Sequence, residues 1–396
     1  VEEILRAADD VGMLVALTQP HFGHYDWDAA NADENNGYAQ HAAFYVHVAQ
    51  NHPSVVFYST SHNSTTDSED MNPELVGRDY SAVGDWALKN REKASRAEAI
   101  IRHLDPTRVV YHHSGGNFGA MHTINFYTNW VPLQEMSDWF GTWSKEGIKP
   151  VFTCEYGVPE SWDWAMYRGW YKGERNFGSA NVPWEFCLAE WNAQFLGDKA
   201  FRISEMEKRN LRWESRQFQA GNVWHRWDYP HRLGSNDFPE RDPIFAMYLG
   251  DAWRAHRTWG LSGMNFWDNA LLYRPRPGLA RNKRRDLETD WEQLQRPGFS
   301  PDFLEQRNER MDIAYEREDW IPTEAGRALL RNNKSLLAYI GGNPGAFTSQ
   351  DHNVVAGESV EKQIIIINNS RETVVCDCDW TFALPDPVVG NKQFVI

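Results

Sequence analysis

The sequence predicts an α/β fold with a parallel β-sheet over its first two thirds, followed by a small all-β region. From residue 1 to about residue 270, helical stretches alternate with short apolar runs, which is the pattern of strands joined by crossover helices. From about Asn353, strand-like segments follow one another without helices. No glycine-rich phosphate turn is found, which argues against a dinucleotide-binding sheet.

Six strands are predicted in the first region. They are Met13 to Gln19, Ser54 to Ser59, Arg108 to His112, Thr123 to Tyr127, Pro150 to Tyr156 and Leu261 to Trp267. The stretches "VEEILRAADDVG", "YAQHAAFYVHVAQ" and "WALKNREKASRAEAIIRHLD" carry apolar residues at helical spacing and predict helices. A closed (β/α)₈ barrel needs eight strands, so either two strands precede residue 1 or the architecture is a different one.

The last part of the chain is predicted to hold a final helix and then a separate β domain. "TEAGRALLRNNKSLLAYIGG" reads as one helix with an N-terminal Thr cap and a Gly stop. "ESVEKQIIIINNSRETVVCDCDWTFAL" reads as strand, turn and strand. We therefore expect a β/α domain over residues 1–345 and a small C-terminal β-sandwich over residues 346–396.

Charge and composition narrow the classes of partner. The formal net charge of −15 disfavours nucleic-acid phosphates and anionic lipid surfaces, and no apolar run approaches the roughly 20 residues of a membrane span. Aromatic residues make up 14% of the chain, and flat rings suit sugar faces as well as core packing. We expect a carbohydrate partner, no nucleic acid, no membrane and no cofactor. The location is open, and for a bacterial protein a periplasmic or secreted location is favoured over a cytoplasmic one.

One carboxylate lies at the end of a predicted strand. "GIKPVFTCEYGVP" places Glu155 after an apolar run and before Tyr156 and Gly157. A carboxylate in such a position is costly unless it is solvated, paired or used. Glu155 is therefore the first candidate for a catalytic residue.

The segment "KPVFTCEYG" resembles the seventh-strand motif of retaining glycoside hydrolases in the large clan that contains β-galactosidases, β-glucuronidases and β-mannosidases. "RAADDVGMLVAL" is similar to the helix and third strand of that clan, "NHPSVVFYSTSHN" to its fourth-strand motif, and "GMNFWDN" to its eighth strand with a substrate-facing Trp. The resemblance covers roughly residues 1 to 270. It implies a (β/α)₈ TIM-type barrel whose first two strands are lacking in this chain, with Glu155 as the nucleophile that forms a covalent glycosyl-enzyme.

The fourth-strand segment departs from the family at the proton donor. The family motif ends in Asn-Glu, and these positions fall on His62 and Asn63. An amide cannot donate and recover a proton near neutral pH, so another residue must do so, about 5 Å from Glu155. The candidates are Asp67, Glu69 and Asp70, of which the last two are preferred, then His62, and Glu185 or Glu190 in the long aromatic-rich insertion.

Other polar and aromatic residues follow the same predicted strands. They are His21 and His24, His112 and His113, Tyr127, and Trp267. By the resemblance, Tyr127 hydrogen-bonds the nucleophile, and His24 and Trp267 contact the sugar. We also place Asn63 and His112 among the substrate-binding residues. The four histidines outside the fourth-strand motif show no short ligand spacing, so no metal site is expected.

Three functions compete at this point. The first is a retaining β-glycosidase that acts on an oligo- or polysaccharide with Glu155 as nucleophile and a non-standard acid/base. The second is a catalytically impaired carbohydrate-binding barrel, in which Asn63 marks the loss of hydrolysis. The third is a barrel of another class, such as a metal-dependent hydrolase.

Overall fold

The computed structural model describes residues 1–65, 76–77, 85–127, 133–157, 197–202, 204–222, 230, 242–267, 272–278, 317–350, 353–383 and 385–396. The chain divides into two compact units. The first comprises Val1–Asn129, Thr142–Asp163 and Leu261–Thr323, and the second comprises Trp130–Gly141, Trp164–Gly260 and Glu324–Ile396.

The first unit contains all six strands that the apolar runs predict. They are β1 (Val15–Thr18), β2 (Val55–Ser59), β3 (Val109–Tyr111), β4 (His122–Tyr127), β5 (Val151–Gly157) and β6 (Gly263–Phe266). They form two parallel three-stranded sheets, ordered β1-β2-β3 and β4-β5-β6. Both sheets are open within the described residues, so closure into an eight-stranded barrel stays a prediction. A short antiparallel pair, β7 (Tyr273–Pro275) and β8 (Trp320–Pro322), completes the described strands of this unit.

The predicted helices of the first unit are confirmed. The helices up to β5 are α1 (Glu2–Val11), α2 (Ala32–Asn35), α3 (Gly37–Ala49), α4 (Asp85–Leu104) and α5 (Gly141–Glu146). Helix α1 ends at Gly12, whose φ of 70° is the left-handed conformation of a glycine stop. The side chain of Asn36 caps α3 by accepting a hydrogen bond from the backbone N–H of Ala39.

The strands bury opposite faces in two separate cores, because successive side chains point to opposite sides. Tyr58 and Val110 pack outward in a cluster that includes Ala97 and Ile101 of α4. The complete outer cluster also takes in residues of α1 and α3, namely Leu5, Tyr38, Ala42, Val46 and Ala49. The inner cluster contains Ala16, Phe57, Tyr111, Phe152 and Cys154 from the two sheets, and Met121, which directly precedes β4. The two sheets therefore share an inner face, and each large side chain buried there or against the helices contributes about 1.5 to 3 kcal/mol.

A buried carboxylate joins β2, β3 and the end of α4. Asp105 accepts a hydrogen bond from the hydroxyl of Tyr58 at 2.9 Å and pairs with Arg108 at 2.6 Å. Burial would raise the pKa of Asp105, but hydrogen bonds from Thr107, Tyr58 and Arg108 outweigh it and lower the pKa to about 2. The ionised form of Asp105 therefore stabilises the fold.

Replacement of Asp105 by Asn is expected to lower the free energy of unfolding by about 2 kcal/mol at neutral pH, since buried charge-assisted hydrogen bonds are lost. Because the folded-state pKa lies below the unfolded value, this stabilisation is complete above the unfolded pKa and disappears as pH falls towards about 2. Urea titrations at several pH values should show that the difference in the free energy of unfolding between wild type and D105N becomes smaller on acidification. D10N, at an exposed position of α1, is the control, and a pH-independent difference would contradict this assignment.

The second unit contains, within the described residues, three α-helices and a β-rich end. The helices are α6 (Glu205–Gln219), α7 (Asp242–Trp259) and α8 (Glu324–Asn332), and α7 packs against α8. The prediction of one helix through "TEAGRALLRNNKSLLAYIGG" is wrong in its second half. The helix ends at Asn332, and β9 (Leu336–Gly341) pairs antiparallel with β10 (Gln363–Asn368). The Ile-rich partner strand offers ladder hydrogen bonds and packing to "LLAYI" that outweigh its local helix propensity.

The last described strands form a hairpin-like pair. β11 (Val375–Phe382) and β12 (Val388–Val395) are antiparallel and make a two-stranded sheet separate from the sheet of β9 and β10. β9 precedes the domain boundary expected between residues 345 and 346, and its partner β10 follows it. The expected boundary and the expected β-sandwich stay predictions. None of the described helices has the length and apolar character that a bilayer span requires.

Candidate functional site

Glu155 lies on β5 at a point where the strand carries one extra residue. Ile124 of β4 pairs with Thr153, but the next residue, Asn125, pairs with Glu155, so Cys154 is the inserted residue. The register with β6 shifts in the same stretch, between Thr153 and Tyr156. Such a bulge changes the direction of the side chains that follow it and is common next to active sites. All seven residues of β5 are buried, so Glu155 is a carboxylate held within a rigid, water-poor strand.

Two histidines from the neighbouring strand ends contact Glu155. The Nε2 atom of His62, after β2, lies 3.4 Å from Glu155 Oε1, and the Nε2 atom of His113, after β3, lies 3.6 Å from the same oxygen. The two imidazole rings are 4.3 Å apart. The side chains of His113 and Glu155 are 6% and 3% exposed, whereas that of His62 is 49% exposed. We call these three residues the rim cluster, and His62 is its solvent-facing member.

The amide of Asn63 connects the rim cluster to β4. Its Oδ1 accepts hydrogen bonds from Nδ1 of His113 and Nδ2 of Asn125, both at 3.0 Å. Its Nδ2 donates to Nε2 of His62 at 3.1 Å. Asn63 adopts a left-handed backbone conformation with φ of 48°, which Asn tolerates better than most residues. Asn63 therefore occupies a fixed structural position beside Glu155.

The protonation of two neighbours follows from their burial. Burial and the proximity of His62 lower the pKa of His113 to about 3, so its imidazole is neutral near pH 7. Burial raises the pKa of Cys154 to about 12, and the charge of Glu155 acts in the same direction. Cys154 is thus a neutral thiol rather than a nucleophile. Its Sγ accepts the backbone N–H of Ser114 at 3.1 Å.

Trp267 brings an aromatic face to the same edge. Its backbone N–H donates to the carbonyl of Tyr156 at 2.7 Å, which fixes it just beyond β6. Its ring lies 6.3 Å from the ring of His62 in a stacked orientation of 29°. An indole next to a carboxylate and an imidazole is a suitable platform for the apolar face of a sugar ring.

The side-chain hydrogen bonds that the structure gives His112 are with Thr60 and Glu98 rather than with Glu155. Its Nδ1 is 2.9 Å from the hydroxyl of Thr60, and its Nε2 is 2.9 Å from a carboxylate oxygen of Glu98 on α4. The side chain is 1% exposed. This geometry favours a structural role for His112, and His113 is the member of the pair that faces Glu155.

The histidines that follow β1 lie near the rim cluster without touching Glu155 in any described contact. His24 is exposed and ends a short 3₁₀ helix, Phe22–His24. Its ring stacks on that of His21 at 4.9 Å. Burial lowers the pKa of His21, and the charges of His24 and His62 act in the same direction. The sugar contact of His24 stays a prediction.

Several sequence candidates lie outside the described residues. They are Asp67, Glu69, Asp70, Glu185 and Glu190, together with the side chain of Tyr127. For Tyr127 only the backbone is described, and it pairs with Gly157 at the ends of β4 and β5. Their roles stay predictions.

Sequence reasoning missed Asn125 as a site residue and did not separate His113 from His112. Strand alternation was the available signal for the histidines. Val110 of β3 faces the helices and Tyr111 faces inward. His112, just after β3, contacts Glu98 of α4, so alternation puts His113 on the inner side. No comparable signal marked Asn125, because its position opposite Glu155 depends on the bulge at Cys154.

A cavity in the second unit contains none of these residues. Its volume is about 480 Å³, and its polar lining includes Asp251, Arg254 and Gln350. The amide of Gln350 donates to Asp251 at 2.6 Å. The cavity is therefore a separate feature of that unit and holds no part of the rim cluster.

Residues 6–171 match the family described as glycosyl hydrolases family 2, TIM barrel domain. No curated protein sequence matches the chain. Among solved structures, the chain is similar to the crystal structure of a beta-D-mannosidase from Dictyoglomus thermophilum, with a TM-score of 0.43 and 11% identity over 99% of this chain and 40% of that chain. The chain thus spans less than half of the length of that structure. The family match includes β1 to β5 and the rim cluster, and it supports an α/β barrel related to the glycoside hydrolases.

Proposed function

We propose that the chain carries the active site of a retaining β-glycosidase in which Glu155 is the nucleophile. The observation that supports this most is the position of Glu155 at a bulge of β5, buried, with one carboxylate oxygen within 3.6 Å of both His62 and His113. The C-terminal ends of barrel strands are where catalytic residues lie in barrels of this kind. The family match over residues 6–171 adds the reaction class.

The reaction has two steps. Glu155 attacks the anomeric carbon while an acid protonates the glycosidic oxygen, so the C–O bond to the leaving group breaks as the bond to the carboxylate forms. Water then attacks the same carbon, and the residue that served as acid in the first step now acts as base. The sugar leaves with its original configuration. The neutral imidazole of His113 and the amide of Asn63 hold the site in position, since both are fixed by short hydrogen bonds.

The acid/base is proposed to be Glu69. Retaining enzymes place the acid about 5 to 5.5 Å from the nucleophile to leave room for the anomeric carbon. His62 Nε2 is only 3.4 Å from Glu155 Oε1, which leaves too little room, and the amide of Asn63 cannot donate and recover a proton near neutral pH. Glu69 follows His62 by a few residues in the chain and lies outside the described part. His62 would then neighbour the nucleophile, and Trp267 would support the sugar ring.

A catalytically impaired carbohydrate-binding barrel is the second candidate. It is favoured by one observation, the amide of Asn63, which accepts from two side chains and donates to a third at the position where the resemblance expects the acid. Under this proposal the sugar still binds between Trp267 and the rim cluster, but no group protonates the leaving group.

The experiment that tests the proposal is a panel of 2,4-dinitrophenyl β-glycosides, including glucoside, galactoside, mannoside and glucuronide. Such leaving groups depart without protonation, so the panel reports on Glu155 alone. We expect turnover of at least one glycoside, with the β-anomer as the first product by proton NMR. An α-anomer as first product would contradict the retaining mechanism. Sugar binding by calorimetry without turnover of any activated glycoside would favour the second candidate.

A further inference from the structure

The three side chains of the rim cluster present donor atoms at the spacing of a metal site. One ligand atom from each of His62, His113 and Glu155 lies within 4.8 Å of the others. Two of the separations, from Glu155 Oε1 to the Nε2 atoms of His62 and His113, are 3.4 Å and 3.6 Å. Ligands about 2.0 to 2.2 Å from a tetrahedral zinc ion are themselves separated by about 3.3 to 3.6 Å. The observed separations therefore match those around such an ion.

The hydrogen bonds of Asn63 show which ring nitrogen of His62 and of His113 carries a lone pair. Because its Oδ1 can only accept, Nδ1 of His113 carries the proton and Nε2 of His113 carries the lone pair. Because its Nδ2 can only donate, Nε2 of His62 is also an acceptor. The hydrogen bond from Asn125 to the same Oδ1 fixes the orientation of the amide. Each of the two nitrogen lone pairs thus lies within 3.6 Å of the carboxylate oxygen, and all three ligand atoms lie within 4.8 Å of one another.

From this convergence we infer that the rim cluster binds a divalent cation of borderline softness, with Zn²⁺ as the representative ion. Two imidazoles and one carboxylate suit Zn²⁺ rather than Mg²⁺ or Ca²⁺, which prefer oxygen ligands. The bond from His113 Nδ1 to Asn63 is the outer contact that orients a ligating histidine. The ion displaces the N–H of Asn63 from His62 Nε2, and the half-exposed side of His62 leaves a fourth position for water.

Occupancy by the ion would block catalysis. A carboxylate oxygen bonded to Zn²⁺ cannot attack an anomeric carbon, and the sugar would have to displace the ion. This part rests on the proposed function: Zn²⁺ would then be a reversible inhibitor that competes with substrate. Binding of the ion itself is independent of any glycosidase activity.

The binding experiment uses isothermal titration calorimetry of the chelator-treated full chain with ZnCl₂. We expect one tight site per chain, weakened at least about 100-fold in both H62Q and E155Q. H47Q is the matched control, because His47 is an exposed histidine of α3, and its affinity should equal that of wild type. Co²⁺ substitution should give the intense visible absorption of a four-coordinate ion in wild type and lose it in H62Q.

The outcomes separate this inference from the proposed function. Equal affinity of wild type, H62Q and E155Q for Zn²⁺, in variants that keep the wild-type melting temperature, would overturn the site. Binding with no turnover of any glycoside would uphold the site and count against the glycosidase. Turnover that a chelator abolishes and Zn²⁺ restores would overturn the inhibitory role, whereas turnover that rises with chelator and falls with Zn²⁺ would support it.

Discussion

Replacement of Glu155 by Gln is expected to lower kcat/KM for an activated β-glycoside by about 10³-fold or more, because the amide cannot form the covalent intermediate. The substitution is nearly isosteric, and β5 is buried along its whole length, so a change of volume adds little. Initial rates with the best dinitrophenyl glycoside of the panel measure the effect. Circular dichroism and thermal melting report whether the fold is kept.

The matched control for E155Q is E92Q, the same chemical change at an exposed position of α4. We expect its kcat/KM to stay within about twofold of wild type, since surface substitutions rarely act at a distance. A folded E155Q protein that turns over the substrate at the wild-type rate would remove Glu155 from the mechanism.

The second large effect concerns the acid. E69Q is expected to lower kcat/KM by about 10² to 10⁴-fold for glycosides with poor leaving groups, such as an oligosaccharide or a phenyl glycoside. With a dinitrophenyl glycoside the first step should change little, because that leaving group departs without a proton. H62Q is expected to lower kcat/KM by a similar, smaller factor for both kinds of glycoside, because it alters the surroundings of the nucleophile rather than the proton transfer.

The comparison of substrates identifies the acid even if both variants lose activity. A leaving-group-dependent loss in H62Q, with none in E69Q, would assign the acid to His62 and contradict the role of Glu69. A leaving-group-dependent loss in D70N, with none in E69Q, would assign the acid to Asp70 instead of Glu69. Addition of azide should speed release of the glycosyl-enzyme in the variant that lacks the acid/base, since azide needs no general base.

Strands and helices of the first unit were predictable because the local signals agree with the tertiary environment. "SVVFYS" and "PVFTCEY" are apolar on both faces, as expected for strands covered on both sides. Helix α3 begins at an Asn cap and α1 ends at a left-handed Gly12. The strand Leu336–Gly341 was missed because its pairing with Gln363–Asn368 is not visible in its own residues.

The identity of the nucleophile candidate was predictable, but its surroundings were not. Glu155 could be singled out because it ends an apolar run, and it lies near the C-terminal end of β5, whereas its role stays a prediction. The contact with His113 depends on which face of β3 each histidine takes, and the position of Asn125 depends on the inserted Cys154. A one-residue shift in pairing changes which side chains meet, and a single sequence carries little information about it.

Covalent trapping tests the central claim most directly. A 2,4-dinitrophenyl 2-deoxy-2-fluoro-β-glycoside of the preferred sugar slows both steps but leaves the first step fast enough for the glycosyl-enzyme to accumulate. Intact-mass spectrometry should show one added fluorosugar per chain, and peptide mapping should place it on Glu155. A label on any other residue, or no label on protein that hydrolyses the parent glycoside, would contradict Glu155 as the nucleophile.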